Sequence, residues 1–417
     1  MYYSINKDLG IYMNISSHIS DILEDNQIDA LAFIGDCASR LNIKAFLIGG
    51  SVRDLMLGSE LKDIDISIES HVQTFIDSIP TQNVEVLSIS KFETAKIKIF
   101  DQIIDLAMTR SEFYYESASL PEVAFSDIYE DIYRRDFTIN TLAVYLNPER
   151  WGDILDICNG LDDIKSRRIK ILYPTSFSDD PTRVFRAFRY AGRLDFEIDE
   201  TTRDSIQLDV IKKLSGVRIH NELKHIFSEN NFVEILKELD NFGVFESIYD
   251  NLYLSEHFLK VMLDNREIIS SCSDYGILAI AFDILSDENR TDFSKRLNLS
   301  NNLRKAIHDI RHLEQLPFEK CSELYYSLMP LSDLTLAVAK LFKPKEITNQ
   351  IDIFLDQLKH VRLKISGEDL LERGISGPDI GNILGKIQTL LLDGEIEDNK
   401  SDQILVLDKL IIENNKN

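Results

Sequence analysis

The run FLIGGSVRDLMLGSELKDIDISI, residues 46–68, constrains the fold more than any other stretch of the chain. An apolar strand enters Gly49-Gly50, a helix starts at about Ser51, and an Ile-rich strand follows from Asp63. Strand, glycine turn, helix and strand in that order belong to a mixed α/β unit. The neighbouring sequence extends the pattern. KAFLI (44–48), DIDISI (63–68), AKIKIF (95–100) and QIIDLAM (102–108) are short, Ile-rich runs that predict strands. ALAFIGDCASRL (30–41) and SVRDLML (51–57) predict helices around them. Beyond about residue 160 the strand signals stop. Segments 181–193, 201–213, 219–228 and 231–240 carry apolar residues at helical spacing. The remainder is also mostly helical, with breaks near Pro317, Pro330, Pro344 and Pro378. The expected class is α+β: a leader (1–27), a mixed-sheet head (28–160), then an all-α neck (161–230), body (231–345) and tail (346–417).

Composition excludes several alternatives. With 44% apolar and 28% charged residues the chain is an ordinary globular one, neither disordered nor fibrous. No run approaches the roughly 18 apolar residues of a membrane span. The start, MYYSINKDLGIYMNISSHISDILEDN, lacks the basic and apolar segments of a secretion signal, so a cytoplasmic protein is expected. Cys37, Cys158, Cys272 and Cys321 form no CxxC pair and are expected as reduced thiols. A net charge of −24 and a pI near 4.8 oppose indiscriminate nucleic-acid binding by the whole surface. One local exception stands out: residues 162–225 hold 13 Lys/Arg against 11 Asp/Glu. A bound polyanion is expected there.

The chemistry-bearing residues concentrate in the head. Gly49 and Gly50 allow close approach of a ligand to the backbone, and a helix start offers N–H groups to a phosphate. Ser51 adds a hydroxyl and Arg53 a charged donor. A Gly-Gly turn alone is a common strand–helix joint. The sequel changes its meaning, because Asp63 and Asp65, two apart on a strand, share a face and repel unless a cation lies between them. Hard oxygen ligands suit Mg²⁺ that also meets substrate phosphates. Asp105, alone in the apolar run IIDLAM, is a candidate third acid, with a pairing to Arg110 as the alternative. Later in the chain, Asp180, Arg183 and Arg186 recur at three-residue spacing, and a carboxylate beside guanidiniums can read a base edge. The alternative is a solvated helix face, with Phe185, Phe188 and Tyr190 as core or rim.

GGSVRDLMLG followed by DID resembles the signature of the class II nucleotidyltransferases, the CCA-adding tRNA nucleotidyltransferases and bacterial poly(A) polymerases. The likeness continues in order along the chain. RRDFTINTLA (134–143) is similar to the family's ribose-binding motif, and LDICNGLDDIKSRRIKIL (155–172) to its head–neck link. DDPTRVFRAFRYAGRLDFEIDETT (179–202) resembles the base-recognising neck helix. SGVRIHNEL (215–223) and SGEDLLERGISGPDIGNIL (366–384) resemble later segments. The chain departs from the pattern at Asp179, Asn159 and Asp195, where the family often has Glu, Gly and Gly.

The resemblance implies a metal-dependent RNA nucleotidyltransferase that adds CCA, or part of it, to a tRNA 3′ end from CTP or ATP and releases pyrophosphate. It implies Mg²⁺ on Asp63 and Asp65. Gly49, Gly50, Ser51 and Arg53 would hold the triphosphate. Arg135, Asp136 and Asn140 would orient the nucleotide. Asp180 and Arg183 would meet the base, backed by Arg186 and Arg189. A poly(A) polymerase shares these motifs, and a catalytically silent RNA-binding relative is opposed by the intact DID pair. The spacer LAMTRSEFYYESASLPEVAFSDIYEDIYRRD looks similar to that of enzymes adding only part of CCA, especially the final A. No protein partner is implied. Elsewhere, His308 and His312 in HDIRH share a helix face, but with no HExxH and no clear third ligand they are expected as a surface pair.

Overall fold

The computed structural model describes residues 13–61, 63–80, 84–316 and 318–414. Of the leader expected at 1–27, residues 1–12 lie outside the described residues, and the break expected at Pro317 does too. The chain divides into two compact units, one of residues up to 214 with 234–248, the other of 215–233 with 249–417.

The first unit is built on a mixed sheet. Its strands are β1 (Met13–Asn14), β2 (Ala45–Ile48), β3 (Ile64–Ile68), β4 (Glu85–Ser90), β5 (Thr94–Ile99) and β6 (Gln102–Met108). A separate hairpin of β7 (Arg110–Phe113) and β8 (Glu122–Phe125) follows, and then β9 (Ala143–Tyr145) and β10 (Asp153–Leu155) complete the sheet. The spatial order is β1-β10-β9-β2-β3-β6-β5-β4. Only β3 and β6 pair in parallel; every other neighbouring pair in the sheet is antiparallel. The continuous apolar run of β2 is explained by its place: all four residues are buried in the middle of the sheet. β4 is an edge strand and largely exposed. Phe46, Ile48, Ala143, Tyr145 and Leu155 pack with Ile128 and Ile132 of the helix Ile128–Tyr133. Each of the buried Phe, Ile and Leu side chains contributes roughly 1.5–3 kcal/mol.

The expected elements are present, with shifted ends. The helix read at 30–41 runs Asp25–Arg40, starting earlier because Glu24 and Gln27 form a reciprocal cap. The helix after the glycines runs Gly50–Met56. Asp63 lies just before β3 and not on it, whereas Asp65 is its second residue. A short parallel pair, Arg168–Ile169 with Glu197–Ile198, occurs beyond residue 160, where strand signals had stopped. Two-residue strands carry no alternation to read. Two of the unusual residues, Asn159 and Asp195, have φ of 58° and 54°, so both occupy the left-handed region that favours glycine. Asp195 closes the helix Thr182–Leu194 and is ion-paired to Arg167 at 2.7 Å.

The second unit is helical. Prolines mark its helix starts, with Pro344 capping Lys345–Asp356 and Pro378 opening Pro378–Leu392. Two apolar clusters are distinct within it, one around Leu313, Leu328, Ile351 and Phe354, the other around Ile365, Ile383, Ile387 and Leu407. All four cysteines are free. Among the described residues, no helix is long and apolar enough to cross a membrane.

Gly35 tests the seat of the first long helix on the sheet. A Cβ there would come to 1.9 Å from the Leu146 carbonyl oxygen, a backbone atom that cannot rotate away. Gly35→Ala is expected to destabilise the fold by about 3 kcal/mol despite the higher helix propensity of alanine. Urea melts followed by circular dichroism check this; equal or greater stability would show that the helix can slide.

Candidate active site

The Gly49-Gly50 turn sets the geometry. Gly49 has φ of 68°, and a Cβ on it would lie 2.7 Å from Nη1 of Arg135. Ser51, buried at the start of the helix, accepts the N–H of Asp65 at 2.9 Å, and its hydroxyl lies 3.0 Å from the Asp63 carbonyl oxygen and 3.4 Å from Oδ2 of Asp65. Ser51 therefore anchors the two acids to the turn. Arg53 is also buried and points elsewhere. Its Nε donates to Asp54 at 2.8 Å and its Nη1 to Oδ1 of Asn140 at 2.6 Å.

The carboxylates meet across the parallel strand pair, where Asp65 of β3 lies opposite Asp105 of β6. Burial pushes the Asp65 carboxyl up; Arg135 opposes this, while Asp105 and Asp63 push it up further. Asp63 and Asp105 thus lie close enough to act on Asp65, and all three offer carboxylate oxygens, the donor type that a hard divalent cation takes. Asp105 ion-pairs with Lys96 of β5 at 3.0 Å, while Arg110, its alternative partner, binds Glu112 at 3.0 Å.

The arginines are held by buried acids. Asp131 accepts Arg134 on Oδ1 at 2.8 Å and Arg135 on Oδ2 at 2.9 Å. Burial alone would raise the Asp131 carboxyl, but Arg135 and Arg134 outweigh it and hold it low. Asp136 accepts from Nε of Arg186 at 2.8 Å, from the amide of Asn140 at 3.0 Å and from the Phe137 N–H at 2.9 Å. Against the effect of burial, Arg186 and Asn140 keep this carboxyl far below the usual range. Arg183 donates to the Arg134 carbonyl at 2.7 Å and to Ser176 at 2.6 Å. Asp180 precedes the helix Thr182–Leu194 and is not on its face; it accepts the N–H of Thr182 at 3.0 Å. The Tyr190 ring has the guanidiniums of Arg53, Arg186 and Arg189 at 5.2, 5.3 and 5.0 Å from its centre.

These groups enclose a cavity of about 410 Å³. Of the residues expected from sequence, Gly50, Ser51, Asp63, Asp65, Arg135, Asp136, Asn140, Asp180, Arg183 and Arg186 line it; Gly49, Arg53, Asp105 and Arg189 do not. Asp54, Glu112, Tyr114, Arg134, Tyr190 and Arg193 line it as well. Arg193 lies in the locally basic stretch 162–225 and Arg134 is the first residue of RRDFTINTLA; Asp54 falls inside GGSVRDLMLG, and Glu112 and Tyr114 inside the spacer that starts LAMTRSEFYY, but none of the three was assigned a role. A second cavity of about 490 Å³ is lined by Asp105, Lys96, Ser88, Ser90 and Thr94, and shares Asp65, Arg134 and Arg135 with the first.

Residues 45–170 match the family model of the Poly A polymerase head domain, and residues 195–253 that of a probable RNA and SrmB-binding site of polymerase A. The chain is 32% identical over 392 residues to an A-adding tRNA nucleotidyltransferase of Geobacter sulfurreducens, with 87% of this chain and 44% of that protein covered. It is 27% identical to an A-adding tRNA nucleotidyltransferase of Halalkalibacterium halodurans, with 87% of each covered. The chain spans less than half the length of the Geobacter protein and of a namesake from Aquifex aeolicus. Its structure is similar to that of the Thermotoga maritima CCA-adding enzyme complexed with tRNA, at a TM-score of 0.70 and 27% identity, over 96% of this chain and 99% of that one.

The Asp136–Arg186 pair gives a prediction with a defined sign. A carboxyl held low in the folded state contributes stability above its unfolded pKa of about 3.9, and that contribution is lost as pH falls through the lower folded value. Arg186→Gln leaves the acid buried without its cation at pH 7, where the penalty is largest. Burial without Arg186 raises the Asp136 carboxyl, so as pH falls the variant takes up a proton there sooner than the wild type and the penalty shrinks. Thermal melts of both proteins between pH 7 and 3 measure this; a penalty independent of pH would show that Arg186 acts through packing alone.

Proposed function

We propose that the chain is a class II nucleotidyltransferase that extends the 3′ end of tRNA from ATP and CTP, adding the terminal A among the nucleotides of CCA. The observation that carries this reading is the position of Asp65 on the border of two cavities. One side offers arginines to a triphosphate; the other, with Asp105 and Lys96, is open to an acceptor strand. The similarity to proteins named A-adding and CCA-adding favours tRNA as that acceptor.

On this reading Asp63 and Asp65 hold a divalent cation, Mg²⁺. When bound, it supplies charge against the triphosphate and lowers the pKa of the attacking hydroxyl. The protein does the rest by positioning. Gly50 and Ser51 place the backbone of the turn beside the phosphates, and Arg135, fixed by Asp131, brings its guanidinium to the same turn. Asp136 and Asn140, locked by Arg186 and Arg53, present a rigid edge to the ribose. Asp180 and Arg183 meet the base. Asp105 lies on the acceptor side and orients the 3′-hydroxyl, whose oxygen bonds to the α-phosphorus as the bond to pyrophosphate breaks. The acidic remainder of the surface restricts RNA to the basic track, and a cytoplasmic setting fits such a substrate.

Asp65→Asn keeps the shape of the side chain and removes the charge that holds the cation. Incorporation of labelled ATP into tRNA ending in CC should fall by roughly three orders of magnitude or more, with RNA binding little changed. Near-normal incorporation would refute the metal assignment. In the wild type, a short defined extension of truncated tRNA supports the proposal. Long heterogeneous tails on unstructured RNA would assign the chain as a poly(A) polymerase instead.

A further inference from the structure

We propose that His308, Asp309 and His312 form a binding site for one divalent transition-metal ion of the zinc type, with ligands distinct from the head carboxylates. His308 and Asp309 end the helix Asn301–Asp309, and His312 lies in the 3₁₀ turn that continues it, Ile310–Gln315. The third ligand that the sequence pattern HDIRH lacked is the residue next to the first histidine. One donor atom from each residue lies within 4.8 Å of the others. Nδ1 of His308 is 3.9 Å from Oδ1 of Asp309, and the two imidazole centres are 6.3 Å apart.

Asp309 is the independent pointer to a ligand. It is only 6% exposed, and its Oδ2 is buried with no hydrogen-bond partner among the described residues. A buried, incompletely bonded carboxylate is costly. Its position adds to the cost, because the C-terminal end of a helix carries the negative end of the backbone dipole. A cation between the three side chains removes both penalties. The flanking Ile307, Ile310 and Leu313 are buried, so the segment is anchored from beneath. His308 is more than half exposed, which leaves an entry path for an ion.

The donor set selects the ion. Two imidazole nitrogens and one carboxylate suit Zn²⁺ and its neighbours, whereas Mg²⁺ favours oxygen throughout. With bonds of about 2.0–2.1 Å in tetrahedral geometry, ligand atoms lie about 3.3 Å apart, so the histidines close in slightly on binding. Three protein ligands leave the fourth position to water.

The test uses the full chain, stripped with chelator, equilibrated with Zn²⁺ or Co²⁺ in excess Mg²⁺, desalted and analysed for bound metal. One equivalent of zinc is expected, and the Co²⁺ form should show the intense visible absorption of a tetrahedral site. Asp65→Asn should retain that equivalent. His308→Ala/His312→Ala and Asp309→Asn should each weaken zinc at least ~10-fold, and zinc should raise the melting temperature of the wild type but not of the double variant. The double histidine variant keeps the test valid if loss of the buried Asp309 charge perturbs folding. Zinc held no better than the Mg²⁺ background, or held equally by the double variant, would overturn the proposal.

Discussion

The arrangement of the cavity depends on two buried carboxylates, Asp131 and Asp136. A guanidinium on a long flexible stem loses considerable conformational entropy when fixed, and an arginine that must order itself around a substrate bears that cost during binding. Here the cost is met in folding. Asp131 divides its two oxygens between Arg134 and Arg135, and Asp136 fixes Arg186 and Asn140 together. Asp54 plays a similar part for Arg53 and, at 3.5 Å, for Arg193. A polyanion entering the cavity would meet cations already in place, which is the form of electrostatic preorganisation that phosphoryl transfer requires.

That arrangement also explains why a chain at −24 can serve an anionic substrate. The acids beside the cavity are not scattered repulsive charges, since most of them are spent on orienting arginines. Asp63, Asp65 and Asp105 are exceptions, and Asp180 accepts from Thr182. Asp65 and Asp105 face each other because β3 and β6 pair in parallel and in register, and a slip of one residue in either strand would put the two acids on opposite faces of the sheet. Ser51 ties Asp65 and the Asp63 carbonyl to the glycine turn, so the turn and these two acids are fixed relative to each other through one hydroxyl.

Much of the site was legible in the sequence, but not always in the role expected. Arg53 is a motif residue that the structure uses to hold Asn140, and Ser51 is one that holds Asp65. Both side chains are buried, and the motif reports that they matter without reporting which way they point. The three-residue spacing places Asp180 on a helical face, but the helix starts only at Thr182, and Asp180 accepts that residue's N–H from outside it. Glu112 and Tyr114 lie in the LAMTRSEFYY spacer but had no assigned role, because they reach the cavity from a hairpin whose register no local pattern specifies. At 308–312 the two histidines were visible, but a carboxylate adjacent in sequence was not recognised as sharing their patch until the helix end was known.

The sequence by itself determined the order of the elements, the strand–glycine–helix–strand unit, and the residue types that carry charge and oxygen ligands. These are properties of local periodicity and of short segments whose backbone chemistry permits few conformations. Tertiary structure alone decided which acids meet and which cations they hold. Asp65 and Asp105 are far apart in the chain and share a face only through strand register; Asp136 and Arg186 meet because a helix returns to the head sheet. Such contacts arise from long-range packing, where the free energy of burying apolar faces sets the geometry and the polar groups must satisfy one another wherever that packing leaves them.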